Sequence, residues 1–331
     1  MGRKTAMVVC PGRGVYNAPE LGYLKRHHPG KTALIERFDA QRRDNGQPSI
    51  AELDAAERYT VSTYTRGDNA SGLIYACSYA DFLDIDRHQI DIVAVTGNSM
   101  GWYTTLACAG ALDADAGFRV VNTMGTFMHQ ALIGGQILHP FVDDDWRAIP
   151  GRRDLLLALA RDIPGLHVSI HLGGMIVLAG DADALDAVER RLQPVDGRFP
   201  MRLGNHAAFH TPLQEPISRQ GRAALGQDLF AQPDIPMIDG RGHVWLPKAV
   251  DTEALWDYSF GHQVVRPYDF TRAVITGVHE FAPDMLIILG PGTTLGGATA
   301  QALIACGWLG LSSKTAFKRL QDRSPVIRQM P

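Results

Sequence analysis

The 331-residue sequence predicts an α/β protein: a large subdomain built on a parallel sheet, carrying a smaller α/β subdomain as an insertion. Three observations predict it. Apolar runs at Ala6 to Cys10, Ile90 to Gly97 and Asp284 to Leu289 each stop at a glycine- or proline-rich turn and alternate with helical stretches, as strands of an open α/β sheet do. Between Gly135 and Leu203 the rhythm changes to β-α-β-β-α-β, the ferredoxin-like order. The Ile90 run also passes through Gly97-Asn98-Ser99-Met100-Gly101 directly into a small-residue helical pattern, which places a serine on a sharp strand-to-helix turn.

Taken in order, Ala6 to Cys10 is the first buried strand, with Pro11-Gly12-Arg13-Gly14 as its carboxyl-end turn, where loops of such sheets build sites. Leu21 to Arg66 is helical and polar, broken around Asp44 to Pro48, and Gly72 to Phe82 is an apolar helix suited to lie under the serine turn. Ala114 to Leu132 is helical. In the inserted unit, Gly135 to Val142 reads as a strand, Gly151 to Asp162 as a helix, Leu166 to His171 and Met175 to Ala179 as strands meeting at Gly173-Gly174, Asp183 to Leu192 as an amphipathic helix and Arg198 to Leu203 as a strand. The chain returns through Gly204 to Pro212 into a helix near Leu213 to Leu225, a short strand at Ile235 to Ile238, and the Asp284 to Leu289 strand ending in Gly290-Pro291-Gly292. That last turn lacks the lysine of a phosphate-binding loop and the spacing of a dinucleotide fingerprint. The boundaries expected are 1–132 with 205–331 for the large subdomain and 133–204 for the small one.

Composition excludes several classes. With 45% hydrophobic residues, 20% charged residues and a net charge of -3, the chain reads as globular, with no electrostatic reason to bind nucleic acid or a membrane surface. No stretch approaches the ~20 apolar residues of a membrane span, and the opening apolar run is too short for a signal peptide; a cytoplasmic location is the expectation. The four cysteines are far apart and read as buried thiols, and His206 with His210 has no acidic or cysteine cluster beside it, so no metal is expected.

A serine held between glycines can sit on a turn where the backbone crosses itself closely, and at a helix start its neighbours' free N–H groups can face an oxyanion. Such a serine needs a base. Of 12 histidines, His210, in a turn-rich segment after the small unit, is the best placed by context.

Together the motifs carry a resemblance. Pro11-Gly12-Arg13-Gly14, Gly97-Asn98-Ser99-Met100-Gly101, Ala208-Phe209-His210-Thr211-Pro212-Leu213, Gln263 to Phe270 and Leu289-Gly290-Pro291-Gly292 occur in the order, and resemble the motifs, of the malonyl-CoA:acyl-carrier-protein acyltransferase family, polyketide synthase acyltransferase domains included. The resemblance implies an α/β-hydrolase-like large subdomain with a ferredoxin-like insertion. It implies that Ser99 takes an acyl group from a thioester, that His210 is base and then acid, and that a backbone carbonyl near Asp239 to Arg241 orients His210. The oxyanion hole would be the N–H groups of Met100 and Arg13. No cofactor is implied; an acyl-CoA or phosphopantetheine thioester is the substrate and an acyl carrier protein the partner, with Arg190-Arg191 or Lys314, Lys318 and Arg319 as candidate docking cations.

The departures concern the acyl group. Met124 stands where malonyl-specific members carry an arginine for the substrate carboxylate, Met175 where a glutamine is usual, and Ser71 about where another is. Phe209 would also line the substrate site. Asn98 and Trp102 replace a histidine and a glutamate and are expected to reshape the mouth of the site, where Arg13 would offer a cation to a phosphate. The expected activity is therefore transfer of a non-carboxylated acyl group to a carrier or other thiol. An acyl-thioester hydrolase using the same two residues and an ordinary malonyl transferase remain the alternatives.

Overall fold

A computed structural model describes residues 2–331. Its strands are β1 (Lys4–Cys10), β2 (Ile90–Gly97), β3 (Gly135–Pro140), β4 (Leu166–Leu172), β5 (Met175–Gly180), β6 (Met201–Arg202), β7 (Met237–Ile238), β8 (Val244–Trp245), β9 (Tyr268–Asp269), β10 (Met285–Ile288) and β11 (Ile327–Gln329). They form two sheets. The larger has the order β11-β10-β1-β2-β7-β8 and is parallel except for β8, which returns antiparallel to β7. β1 is central and apolar throughout its inner half, as a strand covered on both faces must be.

The smaller sheet has the order β6-β3-β5-β4-β9. Its first four strands are antiparallel in ferredoxin-like topology, with the helices Arg152–Asp162 and Ala182–Arg191 packed on it around Ile137, Leu156, Ile176, Leu178 and Val188. The fifth strand, β9, comes from the returning chain and runs parallel to β4, so the small sheet is stitched to the large subdomain.

Several expected elements are shorter in the structure. Pro200 and Pro236 have no N–H to give a ladder, so the strands expected from Arg198 and Ile235 reduce to Met201–Arg202 and Met237–Ile238. The Leu21 to Arg66 region is divided, its main helix Thr32–Asp44 ending before Gly46 and Pro48. β8, β9 and β11 carry too few residues for a sequence pattern. Cys10, Cys77 and Cys108 are buried, but Cys306 is only half-buried, at the end of the helix Thr294–Ala305, contrary to the expectation for all four.

Two features of packing place the site. The helix Gly101–Cys108 that follows β2 is buried along its whole length, so the turn before it is held from below. The helices Gly67–Leu83 and Ala114–Ala131 cross backbone to backbone: a Cβ built on Gly125 would stand 2.5 Å from the Gly67 carbonyl oxygen and 2.7 Å from Ser71 Oγ. That approach, possible only for glycine, brings Ser71 and Met124 to one cavity.

Candidate active site

Ser99 sits at the tip of the β2 turn with φ of 54°, a left-handed conformation that costs a non-glycine residue energy and is held by its surroundings. The turn exists because its flanking glycines have no side chains. A Cβ on Gly97 would lie 2.4 Å from the Gly101 carbonyl, and one on Gly101 would lie 2.3 Å from the Cys10 carbonyl oxygen. Asn98 N–H donates to that same Cys10 carbonyl at 3.0 Å, and Tyr268 OH donates to the Gly97 carbonyl at 2.6 Å.

Ser99 Oγ is 2.7 Å from His210 Nε2. His210, also at positive φ (58°), is fixed from two sides. Ser169 Oγ on β4 donates to the Phe209 carbonyl and is itself held by Gln136 Nε2 of β3, each at 2.7 Å. On the ring, His210 Nδ1–H donates to the Gln263 carbonyl at 2.6 Å, which leaves Nε2 as the acceptor facing Ser99. This is a correction: the orienting carbonyl is that of Gln263, not one in Asp239 to Arg241. Asp239 is instead a buried carboxylate that binds Arg241 and Trp245 and closes its own turn.

Gln263 does more than orient the base. Its side-chain Nε2–H donates to the Ser99 carbonyl at 3.1 Å while its Oε1 accepts from Tyr103 OH, so one residue ties Ser99 and His210 together. Sequence reading placed Gln263 in a matching segment but gave it no role; its position at the start of that segment was the only signal.

Burial pulls the His210 pKa down from 6.5 to about 4, only partly opposed by the hydrogen bond to Gln263, so the imidazole is neutral near pH 7 and competent as a base. Among the described residues neither Met100 N–H nor Arg13 N–H is used in a backbone hydrogen bond. Met100 follows Ser99 in the chain, and Arg13 lines the same cavity as Ser99.

A narrow cavity of about 30 Å3 opens beside Ser99 and His210; Ser71, Met124, Phe209 and Arg13 contribute to its lining. On its other side His210 borders an open groove of about 460 Å3 lined by Arg161, His167 and Arg266. His210 therefore stands between a narrow pocket and a more open groove.

Four expected residues are placed differently. Met175, at the start of β5, lines a separate surface cleft with Val142, Gln301 and Lys314, because Gly173-Gly174 turns the strand ends onto the helix Thr294–Ala305. Trp102 is fully buried, its indole donating to Ser259 Oγ, and belongs to the core rather than the mouth. Asn98 packs over Gly12 and is not part of the cavity lining. Arg13 is not at the mouth: its Nη2 donates to the Thr65 carbonyl at 2.5 Å and the Asn205 carbonyl at 3.0 Å, and its guanidinium lies 5.4 Å from the Phe209 ring centre. Burial lowers its pKa to about 10, so it remains a cation at neutral pH.

Among the described residues no group of three or more metal-ligating side chains converges, and no helix is long and apolar enough to cross a membrane. No family model matches the chain. It is 26% identical over 312 residues to a type I polyketide synthase of phenolphthiocerol synthesis from Mycobacterium marinum, a match covering 91% of this chain and 14% of that protein. It is 25% identical over 212 residues to the malonyl CoA-acyl carrier protein transacylase of Salmonella typhimurium, covering 62% of this chain and 65% of that protein. In sequence the chain is therefore similar, at this low identity, to malonyl-CoA:acyl carrier protein transacylases and to a polyketide synthase. The alignments thus take in only part of each relative's length. The fold agrees over a longer stretch: the crystal structure of a malonyl-CoA:acyl carrier protein transacylase from Xanthomonas oryzae superimposes with a TM-score of 0.74 at 20% identity, covering 99% of this chain and 95% of that one. The two chains share this fold, in which an α/β-hydrolase-like subdomain carries a ferredoxin-like one.

Proposed function

We propose that the protein is an acyltransferase that carries a short, non-carboxylated acyl group on Ser99, from a CoA or carrier-protein thioester to a carrier-protein or other thiol. The observation that carries this reading is the Ser99 Oγ–His210 Nε2 contact of 2.7 Å between a narrow pocket and a more open groove. In the reaction, Ser99 Oγ attacks the thioester carbonyl as His210 Nε2 takes its proton. The oxyanion is met by the Met100 and Arg13 N–H groups, worth ~10²–10³ in rate per donor. The thiol leaves with the proton from His210, and an incoming thiol reverses the steps. The acyl chain occupies the narrow cavity and the thiol-bearing arm the groove, where the Arg161 and Arg266 side chains suit its phosphate. The names of the relatives make coenzyme A and an acyl carrier protein the natural donor and acceptor.

The pocket supports the choice of acyl group. One water needs roughly 10–15 Å3, so about 30 Å3 admits only a few atoms. Met124, 1% exposed, presents a thioether with Val121 and Met128 beside it. Arg13 does not restore the missing clamp. Both bidentate edges of a guanidinium use Nη2, and here both Nη2 hydrogens are spent on the Thr65 and Asn205 carbonyls. A carboxylate left without its fork costs roughly 3–5 kcal/mol, or ~10²–10³-fold or more in rate. Incubation with butyryl-CoA is expected to give an acyl adduct on Ser99 by intact mass, discharged by added thiol or carrier protein, whereas malonyl-CoA gives little. A stable malonyl adduct formed as fast as the butyryl one refutes the acyl-group assignment; discharge to water alone in the presence of thiol makes the protein a hydrolase.

The pH dependence follows from His210. With its pKa near 4, acylation of Ser99 is expected to be level from about pH 5 to 8 and to fall as pH drops through about 4. A midpoint near 6.5 would mean that His210 is solvated during catalysis. The same depression removes stability on acidification, since the unfolded chain takes up this proton below about 6.5 and the folded chain only near 4.

A further inference from the structure

Arg13 is a half-buried cation whose hydrogen-bonding capacity is only partly used. Nη2 is saturated, but Nε is buried without a partner, and among the described residues Nη1 makes no hydrogen bond. Nη1 lies at the crossing of the Gly67–Leu83 and Ala114–Ala131 helices: a Cβ on Gly67 would stand 3.5 Å from it and 2.6 Å from the Gly125 carbonyl. Gly125, Ser71 and Arg13 all line the acyl cavity. Nε is sealed from any ligand, so Nη1 is the donor left open, and an acceptor brought into the cavity by a ligand can take a charge-assisted hydrogen bond from it.

The charge and the donors ask for different things of that ligand. Charge is already met in part by Asp68, by two carbonyls and by the face of Phe209. The bidentate edges are closed. What remains is single-point donation into a small cavity with apolar walls, which fits one neutral oxygen a short distance along the chain.

We infer that the acyl group carries a neutral oxygen beyond the thioester carbonyl, a 3-oxo or 3-hydroxy group, and that Arg13 selects it by donating from the unspent part of its guanidinium. This rests on the acyl-Ser99 reading above. A chain of about four carbons puts such an oxygen within the few atoms the cavity holds, with Ser71 as a neighbour.

The test compares second-order rates of Ser99 acylation by 3-oxobutyryl-CoA, 3-hydroxybutyryl-CoA, butyryl-CoA and malonyl-CoA, read by intact mass, in the wild type and in Arg13→Met. A hydrogen bond to a charged donor predicts that the better of the two oxygenated substrates exceeds butyryl-CoA by about 10- to 100-fold. In Arg13→Met that ratio falls to about one. Because the readout is a ratio within one protein preparation, partial unfolding of the variant does not imitate it. Equal rates in the wild type, or a ratio unchanged in Arg13→Met, overturn the role of Arg13 while leaving acyl transfer through Ser99 intact. Malonyl-CoA as the fastest substrate overturns this inference and the non-carboxylated assignment together. No adduct from any of the four overturns the Ser99 reading itself.

Discussion

Ser99→Ala is expected to form no acyl adduct with any thioester and to lose at least ~10³-fold of transfer activity, up to ~10⁶-fold if the nucleophile and base act as a unit. The structure isolates this effect from folding. The Ser99 hydroxyl contacts His210 and no structural partner, while the backbone of the turn is held by Gly97, Asn98 and Ser99 carbonyl or amide bonds that alanine keeps. Thermal stability is therefore expected to change little. Full activity in Ser99→Ala would remove the covalent mechanism. A large drop in Tm would show that the serine is structural.

Gly101→Ala is the second large effect, and it acts on the backbone. The added Cβ would meet the Cys10 carbonyl oxygen at 2.3 Å and that of Pro11 at 2.8 Å. Neither atom belongs to a flexible side chain, so β1, β2 or the turn must move. Overpacking of this kind costs about 1–3 kcal/mol, and a ~1 Å displacement of reacting groups costs ~10²-fold in rate. The Pro11 to Gly14 loop carries the Arg13 N–H, so Ser99 shifts relative to the proposed oxyanion donor. Gly297→Ala is the matched control. Gly297 lies inside the helix Thr294–Ala305 with nothing within 4 Å of an added Cβ, and there the exchange is expected to stabilise by roughly 0.5–1 kcal/mol. Tm is expected to fall in Gly101→Ala and to rise in Gly297→Ala, and the acylation rate to fall in Gly101→Ala alone; similar behaviour of the two would mean that the turn is not tightly packed.

The serine turn and the β-α-β-β-α-β order were legible because each is local. A glycine on either side of a serine, or a change of hydrophobic period, is written within a few residues. Met124 was singled out only through the resemblance, as the residue standing where malonyl-specific members carry an arginine, and the structure places it in the lining of the cavity beside Ser99. What the sequence could not carry was direction. Met175, Trp102 and Asn98 all adjoin motifs, yet they face a surface cleft, the core and the β1 loop. A residue's neighbour in sequence says little about which side of a sheet or helix it occupies once strand ends turn.

By itself, then, the sequence determined the longer elements and, with the resemblance, singled out Ser99 and His210 as candidates. The tertiary structure alone decided that Gln263, 53 residues from His210 and 164 from Ser99, holds both. It alone decided that Arg13 lines the cavity beside Ser99 with Nη2 tied to Thr65 and Asn205. The reason is physical: hydrogen-bond partners and burial are set by which segments the sheet and the helix crossing bring together, and those distances along the chain leave no local trace.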